Sequence, residues 1–234
     1  MADLPVEKPL RIYVNDNYIV TLMATPERID ELAYGWLWSN DLINTAREVR
    51  KIFVDIERAI VFIEISGDLP EVMIRTVSSG CGGGAMISDY LTSVPTVKSD
   101  LRASLNSLVS LQTQFMQKAV IYKQTGGVHG AALSSSEEIL FTAEDIGRHN
   151  TVDKVIGWSL INDLNLKNAM IFTTGRISSE MLFKVAKANL PIVISRTAAT
   201  DLAVKLAEKA GVTIVGYLRK NRAEIYSHPE NIEI

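Results

Sequence analysis

The sequence has a single cysteine, Cys81, among 234 residues. One cysteine excludes an internal disulfide, and three histidines without paired-ligand spacing argue against a zinc site. No apolar run is long enough to span a bilayer, and the N-terminus lacks the apolar segment of a signal peptide. These absences predict a cytoplasmic protein with no membrane segment and no tightly bound metal of its own.

The sequence also lacks an excess of positive charge. Its formal net charge is −3, which argues against nucleic acid or an anionic membrane as a partner. An anionic ligand would therefore need a local basic site. A Walker loop and a G-x-S-x-G elbow are both missing. What is present is an ordinary globular composition, 47% apolar and 22% charged, in a chain long enough for one large or two small domains.

The first part of the sequence, residues 1–98, predicts a small α+β domain. Two apolar-rich runs flank the turn at Asn15-Asp16-Asn17 and predict a hairpin, and residues 49–65 predict another. Between the hairpins an apolar stripe recurs at helical spacing. We expect Thr25 to cap this helix and Pro26 to be its first residue, because proline suits the first helical position.

The second part, residues 99–234, predicts an α/β domain. Leucines at helical spacing indicate a first helix, two strands follow, and helices and strands then alternate to the end of the chain. Alternation of this kind predicts a parallel sheet with right-handed crossovers. The predicted fold class is therefore α/β, preceded by the smaller α+β domain.

Three predicted strand ends carry arginine and hydroxyl-bearing residues. In open α/β sheets a ligand binds beyond the carboxyl ends of the strands. Two of these segments also lead into helix N-termini, which attract anions, and the planar guanidinium of arginine suits phosphate. The sequence thus predicts a basic crevice for a nucleotide or another phosphorylated ligand, with ordinary solvated loops as the alternative. The segments are residues 173–176, 195–200 and 217–222.

Two further segments are rich in groups that suit a ligand site. Residues 144–154 carry a dense set of polar side chains at a predicted helix start, for which a solvated and capped helix is the alternative. Glycines surround His129 in residues 126–130. They would let the backbone approach a ligand closely, or they would form a tight turn before a strand.

Cys81 lies in residues 78–89, where the density of glycine and serine predicts a mobile loop. A lone cysteine commonly serves as a small buried apolar side chain. Here the glycines on both sides leave little that could bury it. An exposed thiolate can attack a sulfur donor, hold the sulfur as a persulfide and release it to an acceptor. The sequence identifies no base that would activate this thiol.

Several unusual segments carry a resemblance to a known family. They are SSGCGGG, TGGVHGAAL, EDIGRHNTVDK, TTGRISSEM and the tail YLRKNRAEIYSHP. In these segments, and over nearly its whole length, the chain resembles the FdhD/NarQ family of sulfurtransferases that mature formate dehydrogenase. The resemblance implies a cytidine-deaminase-like, three-layer fold for the second domain. The zinc-binding motifs of deaminases are missing, which implies that the scaffold is reused without deamination.

The resemblance also implies an activity and partners. Family members accept sulfur from a cysteine desulfurase as a persulfide. They pass it to the molybdenum bis(molybdopterin guanine dinucleotide) cofactor of the formate dehydrogenase catalytic subunit, and they act as homodimers. The family usually has a second cysteine three positions after the first, where this chain has Gly84. A cofactor-binding chaperone without sulfur transfer is therefore one alternative, and a nucleotide hydrolase on the same scaffold is another.

The predicted site residues fall into a sulfur-carrying group and a cofactor-binding group. By resemblance Cys81 is the catalytic residue, and no residue is predicted to bind a metal. The cofactor-binding tail of the family matches Tyr217, Leu218, Arg219, Lys220, Asn221 and Arg222. The residues expected to contact the nucleotide or to organise its site are Thr174, Gly175, Arg176, Ser178, Gly127, His129, Glu144, Asp145, Arg148 and Asn150.

Overall fold

A computed structural model describes residues 4–69, 93–220 and 222–233. Within these ranges the chain is a mixed α/β protein, as predicted, with a four-stranded sheet, a six-stranded sheet and six α-helices. No helix in these ranges combines the length and the apolar character needed to cross a membrane. Two predicted site residues, Cys81 and Asn221, lie outside the described residues, as does the segment that we predict to be a mobile loop.

The first sheet consists of β1 (Lys8–Val14), β2 (Asn17–Ala24), β3 (Val49–Asp55) and β4 (Ile60–Ile65). Both predicted hairpins are present. Strands β1 and β4 pair in parallel, which gives the order β2-β1-β4-β3. Along β1 and β4 buried and solvent-facing residues alternate, which is expected when one face of a sheet packs on the core and the other meets water.

Helix α1 (Ile29–Ser39) packs in the same hydrophobic cluster as the buried face of this sheet. The prediction that it begins at Pro26 and is capped by Thr25 is wrong. The helix begins after Arg28, which has a left-handed φ of 55°. Thr25 instead binds the second part of the chain, because its N–H donates to the Asp145 carboxylate at 3.1 Å and its hydroxyl accepts from the N–H of Ile146 at 3.3 Å.

The second sheet consists of six strands, β6 (His129–Ser134), β7 (Ile139–Asp145), β8 (Met170–Thr173), β9 (Ile192–Ser195), β10 (Thr213–Arg219) and β11 (Arg222–Ser227). Their order in the sheet is β11-β10-β9-β8-β6-β7. Its central strands run parallel, as predicted, whereas the outer ones are antiparallel to their neighbours. A separate pair of two-residue strands, β5 (Ala103–Ser104) and β12 (Ile232–Glu233), lies outside this sheet.

Helices cover both faces of the second sheet. On one face α2 (Leu105–Lys118), which is followed by the short α3 (Val120–Thr125), buries its predicted leucine stripe against the strands. The other face belongs to the cluster that contains α1 and the three helices of the predicted alternation. These are α4 (Arg148–Ile161), α5 (Ser179–Lys187) and α6 (Asp201–Ala210).

Helices α1 and α4 cross with their backbones in contact at two glycines. A Cβ atom on Gly35 would overlap the backbone of Asp153, and one on Gly157 would overlap the backbone of Glu31. Only glycine lets two helices approach this closely. The contact joins the first part of the chain to the second, and one hydrophobic cluster runs through both. The domain boundary at residue 98 stays a prediction.

Candidate functional site

The loops after β8 and β9 lie side by side at the carboxyl ends of the parallel strands. The N–H of Ile177 donates to the Ala198 carbonyl at 3.1 Å, and the N–H of Thr200 donates to the Ile177 carbonyl at 3.0 Å. The Ser195 hydroxyl donates to the Gly175 carbonyl at 2.7 Å. Two of the three segments predicted to line the crevice therefore form one continuous edge.

The third segment is a hairpin and not the loop that the sequence predicts. Tyr217, Leu218 and Arg219 complete β10, and Arg222 begins β11. The N–H of Tyr217 donates to the Thr197 carbonyl at 3.0 Å, so the hairpin adjoins the loop after β9. Tyr217 has a left-handed φ of 51°, which is uncommon for a bulky residue and coincides with an irregularity in the strand pairing. Leu218 is buried, whereas Arg219 and Lys220 are exposed.

The hairpin presents an aromatic ring backed by charged groups. The Arg222 guanidinium carbon lies 4.1 Å from the centroid of the Tyr217 ring, and the guanidinium also pairs with Glu224. The Tyr226 hydroxyl donates to Glu224 at 2.8 Å. Burial and this bond raise the pKa of Tyr226 to about 12, so the hydroxyl stays a donor at neutral pH. An aromatic face beside a guanidinium suits a nucleotide base next to its phosphate.

Four of the predicted site residues, His129, Thr174, Gly175 and Arg148, meet at the end of β8. The Thr174 hydroxyl accepts from the N–H of Gly130 at 2.9 Å, and Nδ1 of His129 lies 3.5 Å from the same hydroxyl. A Cβ atom on Gly175 would lie 3.1 Å from Cβ of Arg148 and 3.6 Å from Nδ1 of His129. Because glycine has no Cβ, both side chains can pack over the strand end.

Arg148 carries the positive charge of this strand end. Its Nε atom is buried and has no hydrogen-bond partner among the residues that the structure describes. Buried hydrogen-bond donors almost always have an acceptor. We therefore expect a ligand or a water molecule to accept a hydrogen bond from this atom. Burial and then the nearby Arg148 charge lower the pKa of His129. The ring is therefore neutral at physiological pH, and the positive charge at this point is that of arginine.

His149 is not among the predicted site residues, yet it lies at the same edge. Its Nε2 atom is 3.4 Å from the Ser178 hydroxyl and 3.4 Å from a Glu180 carboxylate oxygen. Burial, followed by the charges of Lys184 and Arg148, lowers the pKa of His149 to about 4. Both contacts fall on one ring nitrogen, so this is not a serine–histidine–acid relay, in which the acid binds the opposite nitrogen.

Asn150, predicted to supply hydrogen bonds to the nucleotide, and Asp145, predicted to organise its site, both lie inside the protein. The Asp145 side chain is fully buried and pairs with the equally buried Lys154 at 2.6 Å. The Asn150 amide donates to Asp145 at 2.8 Å and to the Met23 carbonyl at 2.9 Å. Asp145 also accepts from the N–H of Gly147 at 2.8 Å, directly before Arg148. The role of organiser suits Asp145, whose two carboxylate oxygens are both bound within the protein, whereas in Asn150 these bonds occupy the amide NH2 group.

Of three further predicted residues, two make contacts within the protein and one is exposed. Glu144 accepts from the N–H groups of Ile121 and Tyr122 at 3.0 and 2.6 Å, so it fixes the start of α3. Gly127 packs against the ring of Pro5, near the N-terminus. Arg176 is exposed in the loop after β8, where it remains free to meet a ligand.

Ser178 caps α5 directly after the loop that follows β8, and its hydroxyl accepts from the N–H of Met181 at 3.4 Å. A serine cap satisfies one N–H group of the first helical turn and leaves the others without a partner in the helix. Across the described ranges, no group of three or more His, Cys, Asp or Glu side chains has the arrangement of a metal site.

Comparison with known proteins gives consistent results. The sequence model of the FdhD/NarQ family matches residues 5–233. The sulfur carrier protein FdhD of Bacillus subtilis is 35% identical and is matched over 97% of this chain and 88% of its own. That of Sulfolobus acidocaldarius is 36% identical over 98% of this chain and 90% of its own.

Solved structures agree with the sequence comparison. A crystal structure from Desulfotalea psychrophila, assigned as a formate dehydrogenase accessory protein, superimposes with a TM-score of 0.81 at 29% identity. The superposition covers 98% of this chain and 90% of that one. Similarity in sequence and in fold thus extends over nearly the whole length of the chain, which belongs to the FdhD/NarQ family.

Proposed function

We propose that this protein is a sulfur carrier that serves the maturation of formate dehydrogenase. The observation that carries the proposal is its similarity, over nearly the whole chain, to proteins named sulfur carrier protein FdhD. The structural neighbour assigned as a formate dehydrogenase accessory protein supports the same client. The donor would be a cysteine desulfurase and the acceptor the cofactor of the formate dehydrogenase catalytic subunit, and the reaction would take place in the cytoplasm.

Cys81 is the proposed carrier residue. Its thiolate attacks the outer sulfur of a persulfide on the desulfurase, the new S–S bond forms on Cys81, and the desulfurase cysteine leaves as a thiolate. Release of the outer sulfur to the acceptor returns Cys81 to its thiolate form. Cys81 is the one cysteine of the chain, so no second thiol can take part within the same molecule.

The crevice is the proposed binding site for a guanine nucleotide of the molybdenum bis(molybdopterin guanine dinucleotide) substrate. The unpartnered Nε of Arg148 and the exposed Arg176 would meet phosphate oxygens. Tyr217 and Arg222 would face the base from the hairpin. The helix-covered sheet is consistent with a cytidine-deaminase-like scaffold, on which this site would occupy the carboxyl ends of the parallel strands.

A cofactor-binding chaperone without sulfur transfer is the second candidate function. It is favoured by Gly84, which stands where the family usually has a second cysteine. Both candidates require nucleotide binding, but the carrier alone requires a persulfide on Cys81. A test for a persulfide on Cys81 therefore distinguishes the two functions.

Intact-mass measurement tests the proposal. Wild-type and Cys81→Ala protein are each incubated with an active cysteine desulfurase and cysteine, and GDP binding is measured in parallel by calorimetry. A gain of about 32 Da, one sulfur, on the wild type alone supports the carrier. No gain on either protein, with GDP bound by both, favours the chaperone. Absence of GDP binding would reject the assignment of the crevice.

A further inference from the structure

One carboxylate oxygen holds the connection between β7 and α4. Asp145 is the last residue of β7 and Arg148 is the first residue of α4, and only two residues separate them. Oδ1 of Asp145 accepts from the N–H of Gly147 and from the side-chain amide of Asn150, each at 2.8 Å. These two donors lie on either side of Arg148 in the sequence. The backbone of Arg148 is therefore fixed both before and after this residue.

The Asn150 amide also reaches the first sheet. Its nitrogen donates to the carbonyl of Met23, in β2, at 2.9 Å. The Met23 carbonyl and the Asp145 carboxylate can only accept, so the nitrogen must face them and both of its hydrogens are used. The Asn150 side chain is buried, with 8% of the residue exposed. One buried amide thus ties the start of α4 to the end of β2.

Gly147 lies directly against this amide. A Cβ atom on Gly147 would lie 2.8 Å from the amide nitrogen of Asn150 and 3.0 Å from the amide carbon. The φ of Gly147 is −94°, which residues with a side chain also adopt. Glycine is therefore needed here for space and not for its backbone conformation. The position of the amide depends on the absence of a side chain at residue 147.

The side chain of Arg148 is sensitive to the position of its backbone. Its stem passes over Gly175, where an added Cβ would lie 3.1 Å from Cβ and 3.6 Å from Cδ of Arg148. Its Nε atom is buried and has no acceptor within the described part of the chain. A hydrogen bond is strong only over a narrow range of distances and angles. A small movement of the α4 start would therefore weaken a bond from Nε to a ligand.

We propose that Asn150 is a positioning residue, whose amide holds the start of α4 against β2 and so directs Arg148 toward the phosphate of the nucleotide. Side chains that bind a ligand need supporting hydrogen bonds to stay within about 0.5 Å of their productive position. The inference rests on the proposed function at one point, the contact between Arg148 and phosphate. It goes beyond that function because it makes β2, a strand of the first sheet, part of the support of the nucleotide site.

Two other roles of Asn150 predict different results. If Asn150 only stabilised the fold, its removal would not change the affinity of the folded protein for a nucleotide. If Asn150 contacted the ligand directly through its Oδ1 atom, its effect on affinity would be independent of Arg148. A positioning residue changes affinity only while the residue that it positions is present.

Calorimetry with GDP on the full chain separates these roles. Asn150→Ala is expected to raise the Kd about tenfold in the wild type and to have no further effect in an Arg148→Ala background, where no guanidinium remains to be positioned. The matched control is Asn162→Ala, at the other end of α4. It removes an exposed amide that donates to the Trp158 carbonyl at 2.8 Å, and it should leave the Kd unchanged.

Gly147→Ala displaces the same amide by a second route. The added methyl group presses on the amide of Asn150 without removing it, so we expect the Kd for GDP to rise here as well. Asn150→Ala clears the space that this methyl group needs. The double variant should therefore bind GDP no more weakly than Asn150→Ala alone. A direct contact or a purely stabilising role would not produce this dependence.

Several outcomes would overturn the inference. Folded Asn150→Ala protein that binds GDP as tightly as the wild type is one, and an undiminished effect of Asn150→Ala in the Arg148→Ala background is another. Both outcomes leave the proposed nucleotide site intact, whereas a wild type that does not bind GDP overturns the site and the inference together. Circular dichroism and thermal unfolding establish that each variant is folded. Should Asn150→Ala not fold, Gly147→Ala is compared with and without Arg148→Ala, and an equal effect in both backgrounds rejects the positioning role.

Discussion

Lys154 and Asp145 form an ion pair of 2.6 Å in which both side chains are completely shielded from solvent. The Lys154 ammonium also donates to the carbonyls of Thr25 and Glu144 at 3.2 and 3.0 Å. Asp145 in turn accepts from the N–H groups of Thr25 and Gly147. The pair thus holds the segment before α1 against the end of β7, close to the start of α4 where Arg148 lies.

Removing one member of this pair should destabilise the protein severely. Lys154→Met or Asp145→Leu leaves one buried charge without its partner, and we expect each to cost about 3–5 kcal/mol of the free energy of unfolding. The double variant should lose less than the sum, because no charge remains buried alone. Urea denaturation measures all three.

An exposed ion pair serves as the control for this prediction. Lys205 pairs with Asp201 at 3.6 Å on the surface of α6. Lys205→Met should change the free energy of unfolding by less than about 0.5 kcal/mol. Equal losses at the buried and exposed pairs, or strict additivity in the double variant, would contradict the importance of the buried pair.

Alanine at the helix crossing should force α1 and α4 apart. A methyl group on Gly35 or on Gly157 would overlap the backbone of the opposite helix. We expect each substitution to lower the free energy of unfolding by about 3 kcal/mol or more, because the added methyl group meets backbone atoms that cannot easily move away. Gly67→Ala is the matched control, because nothing lies within 4 Å of its added carbon. A chain that tolerates Gly35→Ala as well as Gly67→Ala would refute the close crossing.

Arg148 should dominate nucleotide affinity. Arg148→Ala removes the buried Nε donor and the charge of the strand end. We expect the Kd for GDP to rise about 10- to 100-fold, because hydrogen bonds to charged groups contribute about 1.5–3 kcal/mol. Arg148→Lys should recover only part of the affinity, because it lacks the planar guanidinium. Calorimetry measures the change. Arg47→Ala, at an exposed pair with Asp163, is the control, and an equal effect there would refute the assignment.

Acid should destabilise the protein through His149. Burial and the charges of Lys184 and Arg148 lower the pKa of His149 to about 4, from an ordinary value of 6.5. Between these values the unfolded chain binds a proton that the folded chain does not. Stability from this group therefore falls as the pH drops from 6.5 to about 4 and levels off below that. His149→Gln should flatten this part of the profile, by up to about 3 kcal/mol at its acid end.

His228 should show the opposite dependence on pH. Burial lowers its pKa, but hydrogen bonds to Glu230 at 3.1 Å and to the Glu208 carbonyl at 3.2 Å outweigh this effect and raise the pKa overall. Its stabilisation is complete below the unfolded pKa and is lost as the pH rises through the folded one. Urea unfolding across the pH range should show that His228→Gln loses stability mainly in acid. Profiles of the same shape for both histidine variants would refute these assignments.

Much of the fold could be predicted because its signals are local. Apolar periodicity and turn residues are enough to locate both hairpins, α2 and the alternating strands and helices that end at β10. The start of α1 could not be predicted in this way. Thr25 and Pro26 satisfy every local rule for a helix start, but Thr25 binds Asp145 instead, and that partner is distant in sequence.

The candidate site was predictable where it depends on the carboxyl ends of strands. Thr174 and Gly175 follow the end of β8, and Arg148 follows the end of β7. His129 begins β6, which is antiparallel to both strands, so it meets them at the same edge of the sheet. Burial of polar groups was not predictable. From the sequence alone, Asp145 is predicted to be solvated or to bind a ligand. The structure shows that it is buried and paired with Lys154.

The register between strands also lies beyond local signals. On the first sheet, four aromatic side chains each occupy an ordinary outward position on their own strand, namely Tyr13, Tyr18, Phe53 and Phe62. They form one line across the sheet only because the pairing of the four strands aligns these positions.

The crossing of α1 and α4 also bears on how the chain folds during its synthesis. Helix α1 leaves the ribosome early, but its residue Gly35 packs against α4, which is synthesised more than half the chain later. Until Gly157 is available, one side of α1 has no partner, although the four-stranded sheet can already cover another. Between the synthesis of these two helices, the nascent chain therefore exposes apolar surface on this side of α1, and such surface favours aggregation. Slower translation in that interval would lengthen the exposure without altering the final structure.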